Sequence, residues 1–307
     1  MDIVFMGTPD FATQSLQALL YAGHHIQAVF TQPDKPVGRK QLLTPPPVKT
    51  FAIKQNIPVY QPQSVRTPDV LEQLRTLHPD VCAVVAYGKL LPPELLQLPK
   101  YGCINVHASL LPKYRGAAPI QWAIVNGEQT TGVTTMQLDA GMDTGDILLQ
   151  AQEIIHTQDT AQTLGERLAA LGAKLLCETL SALEQGSVIP QPQNATQATY
   201  APIIKKEDGL IDWNRPASAV DCLIRGLNIW PTAFTFADGK RLKIFGAHPL
   251  AWSNAIPGEI VCQREQLIIG CGQNTALQVL DLQLEGSKRM QAADFLRGKQ
   301  FTCHKFG

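Results

Sequence analysis

Within its first thirty residues the chain runs from a short apolar stretch, residues 2–6, through Gly7-Thr8-Pro9-Asp10 into helically spaced Phe11, Leu16, Leu19 and Leu20. After Gly23 comes a second apolar stretch, Ile26–Phe30. Strand, helix, strand in this order is a βαβ unit, because two parallel neighbours need a crossover and the helix supplies it. The pattern recurs with a helix near 67–77, a strand at Val81–Val85 and a further strand over 102–107. Stretches that are apolar throughout, rather than alternating, suit strands covered on both faces. The expected fold is therefore α/β, with a Rossmann-like parallel sheet. Gly7-Thr8-Pro9-Asp10 lacks the second glycine of Gly-x-Gly-x-x-Gly, which disfavours a dinucleotide cofactor. In open sheets of this kind ligands collect at the carboxyl ends of the strands, where Tyr87-Gly88, His107 and the loop bearing Asp143 are expected.

A longer helix is expected at about 160–185. Asp159 and Gln162 make a capping-box variant, Leu164, Leu168, Leu171, Leu175 and Leu183 form one broad apolar face, and Gly186 ends it. Ile189–Gln197 is polar, proline-bearing and unpatterned, and reads as a linker. The expected division is 1–189, a linker over 190–204, and 205–307. After a helical stretch around 216–227, short strand signals recur at 232–236, 241–245, 258–262, 266–269 and 277–282. With tight turns such as Ala237-Asp238-Gly239-Lys240 between them, they suggest a small β-barrel.

A length of 307 residues suits two domains, and 45% hydrophobic with 17% charged residues argues against disorder. No apolar stretch is long enough to span a bilayer, and Met1-Asp2-Ile3 leads into a strand without a basic leader, so a cytoplasmic protein is expected. Seven scattered cysteines without Cys-x-x-Cys suit reduced thiols. Cys103 and His107 have no second pair at ligand spacing, so no metal is expected. Net charge is zero, but residues 1–204 carry 13 basic and 16 acidic groups and residues 205–307 carry 13 and 10. That asymmetry alone does not point to a nucleic acid.

The chemistry-bearing stretch is Ile104-Asn105-Val106-His107-Ala108-Ser109-Leu110-Leu111-Pro112, followed by Asp139-Ala140-Gly141-Met142-Asp143-Thr144-Gly145. In an extended strand Asn105 and His107 lie on one face, roughly 6.6 Å apart at about 3.3 Å per residue. An amide donor beside an imidazole and a carboxylate suits acyl transfer, in which a carbonyl becomes an oxyanion and an amine sheds a proton. Other roles stay open: a strand histidine often satisfies a buried hydrogen bond, and Asp143 between two glycines is also an Asx-turn former.

These segments resemble the folate-dependent formyltransferase family. So do Phe5-Met6-Gly7-Thr8-Pro9-Asp10-Phe11, Thr31-Gln32-Pro33-Asp34-Lys35-Pro36, Val85-Ala86-Tyr87-Gly88, Tyr114-Arg115-Gly116-Ala117-Ala118-Pro119-Ile120 and Trp230-Pro231-Thr232. The Gly-Thr-Pro-Asp start, the Arg-Gly-Ala-Ala-Pro run and the second domain are similar to the tRNA-acting branch. The resemblance implies a formyltransferase domain followed by an OB-like tRNA-binding domain, 10-formyltetrahydrofolate as formyl donor and methionyl initiator tRNA as acceptor. A monomer with no membrane partner is expected. Asn105 and His107 are implied to stabilise the oxyanion. Asp143 is implied to orient or charge-balance His107 and relay protons, since a nearby carboxylate favours imidazolium. Folate contacts are implied at Ala86, Tyr87, Gly88, Leu90, Leu91 and Pro92, at Ser109, Leu110, Leu111 and Pro112, and at Asp139, Ala140 and Gly141. The tRNA contacts implied are Lys35, Arg39 and Lys40 in a proline-rich loop, and Lys205 and Lys206. Where many relatives carry lysines, this chain has Gln41, Leu42 and Leu43 after Lys40, and Ile203 before Lys205.

Two competing functions stay open on the residues alone. One is the same chemistry on a small amine, such as glycinamide ribonucleotide or an amino-sugar nucleotide. The other is an RNA-binding protein that keeps the fold without catalysis; the intact Asn105, His107 and Asp143 argue against it.

Overall fold

The computed structural model describes residues 1–38, 41–228, 230–263, 265–298 and 301–307, with backbone alone at 262 and 263. The described residues form two units: Met1–Gly116, Thr130–Ile154 and Gly165–Ala201 in the first, Ala117–Gln129, Ile155–Leu164 and Pro202–Gly307 in the second.

The chain begins with β1 (Asp2–Gly7), α1 (Asp10–Tyr21), β2 (His25–Phe30) and a hairpin of β3 (Lys35–Val37) and β4 (Leu42–Thr44). It continues with α2 (Pro47–Lys54), β5 (Val59–Tyr60), α3 (Pro68–Leu77), β6 (Val81–Val85), α4 (Pro93–Leu96), β7 (Cys103–His107) and β8 (Arg115–Gly116). Next comes α5 (Pro119–Val125), which folds with the second unit, and then β9 (Thr130–Gln137), β10 (Ile147–Ile154), α6 (Ala161–Glu184) and β11 (Tyr200–Ala201).

Seven of these strands make one sheet in the order β10-β9-β7-β6-β1-β2-β5. The five from β7 to β5 are parallel, as their apolar runs imply, and β9 and β10 add antiparallel at one edge. The strand β9 escapes a hydrophobicity reading because its buried positions include Thr131, Thr134 and Thr135. Ile3, Val4, Phe5 and Met6 are all fully buried, the pattern of a strand covered on both faces. On one face Val4, Met6, Ala28, Phe30 and Val84 pack with Val70 and Leu74 of α3. Side chains of this size each stabilise the fold by about 1.5–3 kcal/mol when fully buried.

From β1 the chain winds through β2 to β5 and then returns to the other side of β1 as β6, so the topological switch lies between β1 and β6. Gly7 closes β1 where no side chain fits: a Cβ there would lie 2.8 Å from the Ala12 Cβ and 3.0 Å from the Val85 carbonyl oxygen. Thr8 then bonds across the switch, donating to the Tyr87 carbonyl at 3.1 Å, which also accepts the Gln32 amide at 3.0 Å.

The second unit contains α7 (Ala217–Gly226), β12 (Ala233–Ala237), β13 (Lys240–Ala251), β14 (Ile260–Gln263), β15 (Gln266–Cys271), β16 (Thr275–Leu284), β17 (Met290–Gln291) and α8 (Ala292–Gly298). Its sheet is antiparallel, ordered β12-β13-β16-β15-β14 with β17 on β16. Register shifts at Ile244/Gly246 and Gly246/Ala247 interrupt the long β13. Bulges of this kind bend a strand and raise its twist, curling the sheet into the half-barrel of an OB-like domain. Inside it Leu242, Ile244, Leu267, Ile269, Leu277 and Leu282 pack with Val220 and Ile224 of α7. Helix α5 approaches α7 closely: a Cβ on Gly226 would stand 2.6 Å from the Val125 Cγ2. The fold is therefore the expected α/β sheet domain followed by a small OB-like β domain.

Candidate active site

Strand β7 ends at His107, at the carboxyl edge of the sheet. Asn105 and His107 share one face of β7, two residues apart, and are 9% and 6% exposed. The His107 Nε2 lies 2.9 Å from the Tyr114 carbonyl oxygen. A carbonyl only accepts, so Nε2 carries the hydrogen and donates it, which fixes both tautomer and ring orientation. Nδ1 then faces Asp143 Oδ2 at 3.7 Å, too far for a direct hydrogen bond. The same Oδ2 accepts the Gly116 N–H at 2.8 Å. The ring is thus anchored by Tyr114, with the Asp143 carboxylate beside its other nitrogen. No residue-type pattern announces the Tyr114 contact, because it is made by a backbone carbonyl.

The 139–145 turn explains why the Asp143 side chain reaches His107. The Asx role belongs to Asp139, whose Oδ1 accepts the Gly141 N–H at 3.0 Å and the Thr144 hydroxyl at 2.7 Å. Asp143 itself sits at φ 54°, in the left-handed region. A Cβ on Gly145 would overlap the Gln137 carbonyl oxygen, so the turn closes only with glycine there.

The segment after α6 completes the arrangement. Thr199 accepts the Tyr114 N–H on its hydroxyl at 2.8 Å and the Arg115 N–H on its carbonyl at 2.8 Å, and β11 pairs in parallel with β8. Gly116, at φ 115°, lies where a Cβ would meet the Ala201 carbonyl oxygen at 2.7 Å. Gln193 bonds to Arg115 and to the backbone of Asp143 and Gly145. A polar, proline-bearing run carries no periodicity that reveals such tertiary bonds.

The other residues singled out fall into distinct surroundings. Ala86 and Gly88 are exposed at left-handed φ values of 46° and 78°, directly after β6. The Tyr87 side chain between them is buried in the core, which pushes its hydroxyl up to about 12. Leu90 is exposed, Leu91 packs against that core, and Pro92 is buried. Ser109 and Leu111 are buried; Ser109 donates to the Lys113 carbonyl, and the Leu111 N–H bonds to Thr134. Leu110 and Pro112 are half-buried, while Asp139, Ala140 and Gly141 are exposed in their turn. Lys35 is exposed on β3, and Leu42 and Leu43 on β4 are 64% and 68% exposed. Arg39 and Lys40 lie outside the described residues. Lys205 and Lys206, in the second unit, are exposed, and the Lys205 N–H donates to Asp208. Among the described residues no group of three or more His, Cys, Asp or Glu is placed to hold a metal ion, and no helix is long and apolar enough to cross a membrane.

Comparison with known proteins identifies the family. Residues 1–180 match the formyl transferase family model and residues 203–300 match the model of the formyl transferase C-terminal domain. The chain is 51% identical to a methionyl-tRNA formyltransferase of Citrifermentans bemidjiense, over 97% of this chain and 93% of that protein. It is 52% identical to the methionyl-tRNA formyltransferase of Caldanaerobacter subterraneus subsp. tengcongensis, over 97% of both chains. Among solved structures, an N-formyltransferase from Helicobacter canadensis, in complex with folinic acid and dTDP-3-aminofucose, superposes with a TM-score of 0.68. It is 19% identical, over 90% of this chain and 98% of that one, a likeness of fold. The chain belongs to the formyl transferase family, among the methionyl-tRNA formyltransferases.

Proposed function

We propose that the chain transfers a formyl group from 10-formyltetrahydrofolate to the α-amino group of methionyl initiator tRNA, acting as a monomer in the cytoplasm at the start of translation. What carries this reading is the grouping of Asn105, His107 and Asp143 at one strand end, in a chain half identical along its length to methionyl-tRNA formyltransferases. Formyl transfer to a small amine is not favoured, since the sugar-nucleotide enzyme shares only the fold.

Attack of the amine nitrogen on the formyl carbon forms the new C–N bond and turns the carbonyl oxygen into an oxyanion. The Asn105 amide, which bonds to no described residue, donates to that oxygen. As an imidazolium, with its Nε2–H held by the Tyr114 carbonyl, His107 presents Nδ1–H as the second donor. Asp143, beside Nδ1, balances the charge on the ring and takes the amine proton through water. Breaking the bond to the donor nitrogen then releases the folate, and the proton returns to that nitrogen. The pterin edge is read by backbone groups at Ala86–Gly88 and Leu90–Pro92, and by Ser109–Pro112 and Asp139–Gly141. The exposed backbone at 86 and 88, next to the topological switch, and the exposed turn at 140 and 141 suit that role. Residues 1–189 carry the chemistry and 190–204 link them to 205–307. Lys35, Arg39 and Lys40, with Lys205 and Lys206, contact tRNA phosphates.

Single-turnover transfer by Asn105→Ala, His107→Ala and Asp143→Ala tests these roles. Each variant is expected to lose on the order of a hundredfold or more in rate while melting with the parent protein. A near-parental rate in any of the three removes that residue from the mechanism.

A further inference from the structure

We infer that Gln193 is a positioning residue for the reaction: its side-chain amide ties the Asp143 turn to β8 and thereby sets the carboxylate against His107. The inference rests on Asp143 taking part in the proton transfer.

Both polar atoms of the Gln193 amide are used, one toward the Asp143 turn and the other toward Arg115. Its Nε2 donates to the carbonyl oxygens of Asp143 at 2.9 Å and Gly145 at 2.7 Å. Its Oε1 accepts from Arg115 Nε at 3.0 Å and Nη2 at 2.7 Å. Arg115 is 4% exposed and pairs with no carboxylate among the described residues. It stands between Tyr114, whose carbonyl holds the His107 ring, and Gly116, whose N–H holds the Asp143 carboxylate. The bonds therefore close a circuit from His107 through Tyr114, Arg115 and Gln193 to Asp143. Asp143 adopts a left-handed backbone that a non-glycine residue keeps only when its surroundings over-determine it.

The choice of an amide is informative. A buried arginine is best matched by a carboxylate, and glutamate has the same length as glutamine. Glutamate, however, has no hydrogens for the Asp143 and Gly145 carbonyls and would repel them. Position 193 thus gives up the stronger partner for Arg115 and keeps two donors aimed at the turn.

Gln193→Glu separates the two roles. With the charged pair to Arg115 offsetting the two lost carbonyl bonds, the variant is expected to melt close to the parent protein, to keep its KM for donor and tRNA, and to lose about ten- to a hundredfold in kcat. Its pH–rate profile is expected to differ from that of the parent protein. Added to Asp143→Asn, the same substitution is expected to change turnover by less than about twofold, because residues acting through one another are not additive. Parental turnover in Gln193→Glu, or a full multiplicative loss in the Asp143→Asn background, overturns the proposal. Parental turnover in Asp143→Asn alone overturns the underlying role of Asp143 as well, which distinguishes the two failures. If Gln193→Glu folds poorly, the Arg115→Met/Gln193→Met pair leaves no buried charge unpaired. Normal melting with low turnover in that pair supports the proposal, and normal turnover overturns it.

Discussion

Replacing Thr134 by valine changes one hydroxyl to a methyl at the centre of the scaffold that carries His107. Thr134 is fully buried on β9; its hydroxyl donates to the Ser109 carbonyl at 2.7 Å and accepts the Leu111 N–H at 3.1 Å and the Gln150 amide at 2.8 Å. The Gln150 amide also donates to the Leu111 carbonyl at 2.9 Å, so it keeps a partner when the hydroxyl goes. Two backbone groups do not: the Ser109 carbonyl and the Leu111 N–H are left to the interior. Each costs about 1–3 kcal/mol unpaired, so the variant is expected to lose about 2–6 kcal/mol. In a unit of this size each kcal/mol lowers the midpoint by about 2–4 °C, which places the drop at about 4–24 °C. Turnover should fall as well, since the loosened turn follows His107 directly. Thr134→Ser keeps the hydroxyl and gives up about one methyl group, near 1 kcal/mol. Calorimetric melting and formyl transfer on the same preparations check both. A valine variant melting within a degree of the parent protein, or no more destabilised than serine, refutes the reasoning.

Asp238 gives a pH test in the second unit. Its carboxyl is held down to about 2 by the Thr302 hydroxyl and N–H, followed by the Cys303 N–H. The folded value lies below the unfolded one, so the tie is fully present above about pH 4 and is lost as pH falls through about 2. The amide resonances of Thr302 and Cys303 are expected to titrate with that midpoint and to lose the step in Asp238→Asn; a midpoint near 4 contradicts the geometry. Binding of tRNA is expected to weaken with salt. Neutralising Lys35, Arg39, Lys40, Lys205 or Lys206 singly should lower the slope of log affinity against log salt by about one each. An unchanged slope counts against that residue.

The parallel core of the sheet is legible in the chain because β1 and β6 are apolar on both faces and β2 and β7 on one, and a short apolar run between turns has few other fates. The shared face of Asn105 and His107 follows from strand alternation alone. What stays hidden depends on tertiary bonds. Strand β9 buries threonines, so its polarity disguises it. Helix α2 begins at Pro47, inside a proline-rich stretch that reads as loop, although proline at a first helical position is well tolerated. The run after Gly186 looks like a plain linker, yet Gln193 and Thr199 bond to the Asp143 turn and to β8. The Asx role of the 139–145 turn goes to Asp139. Nothing in the residue types there selects one aspartate over the other; the left-handed backbone at Asp143 does.

The most direct measurement is transfer of a labelled formyl group from 10-formyltetrahydrofolate, with methionyl initiator tRNA, methionyl elongator tRNA and glycinamide ribonucleotide offered in parallel. Label is expected on the initiator tRNA alone, and to be lost with Asn105→Ala. Label on a small amine in place of tRNA, or none from a folded protein, would contradict the proposed function.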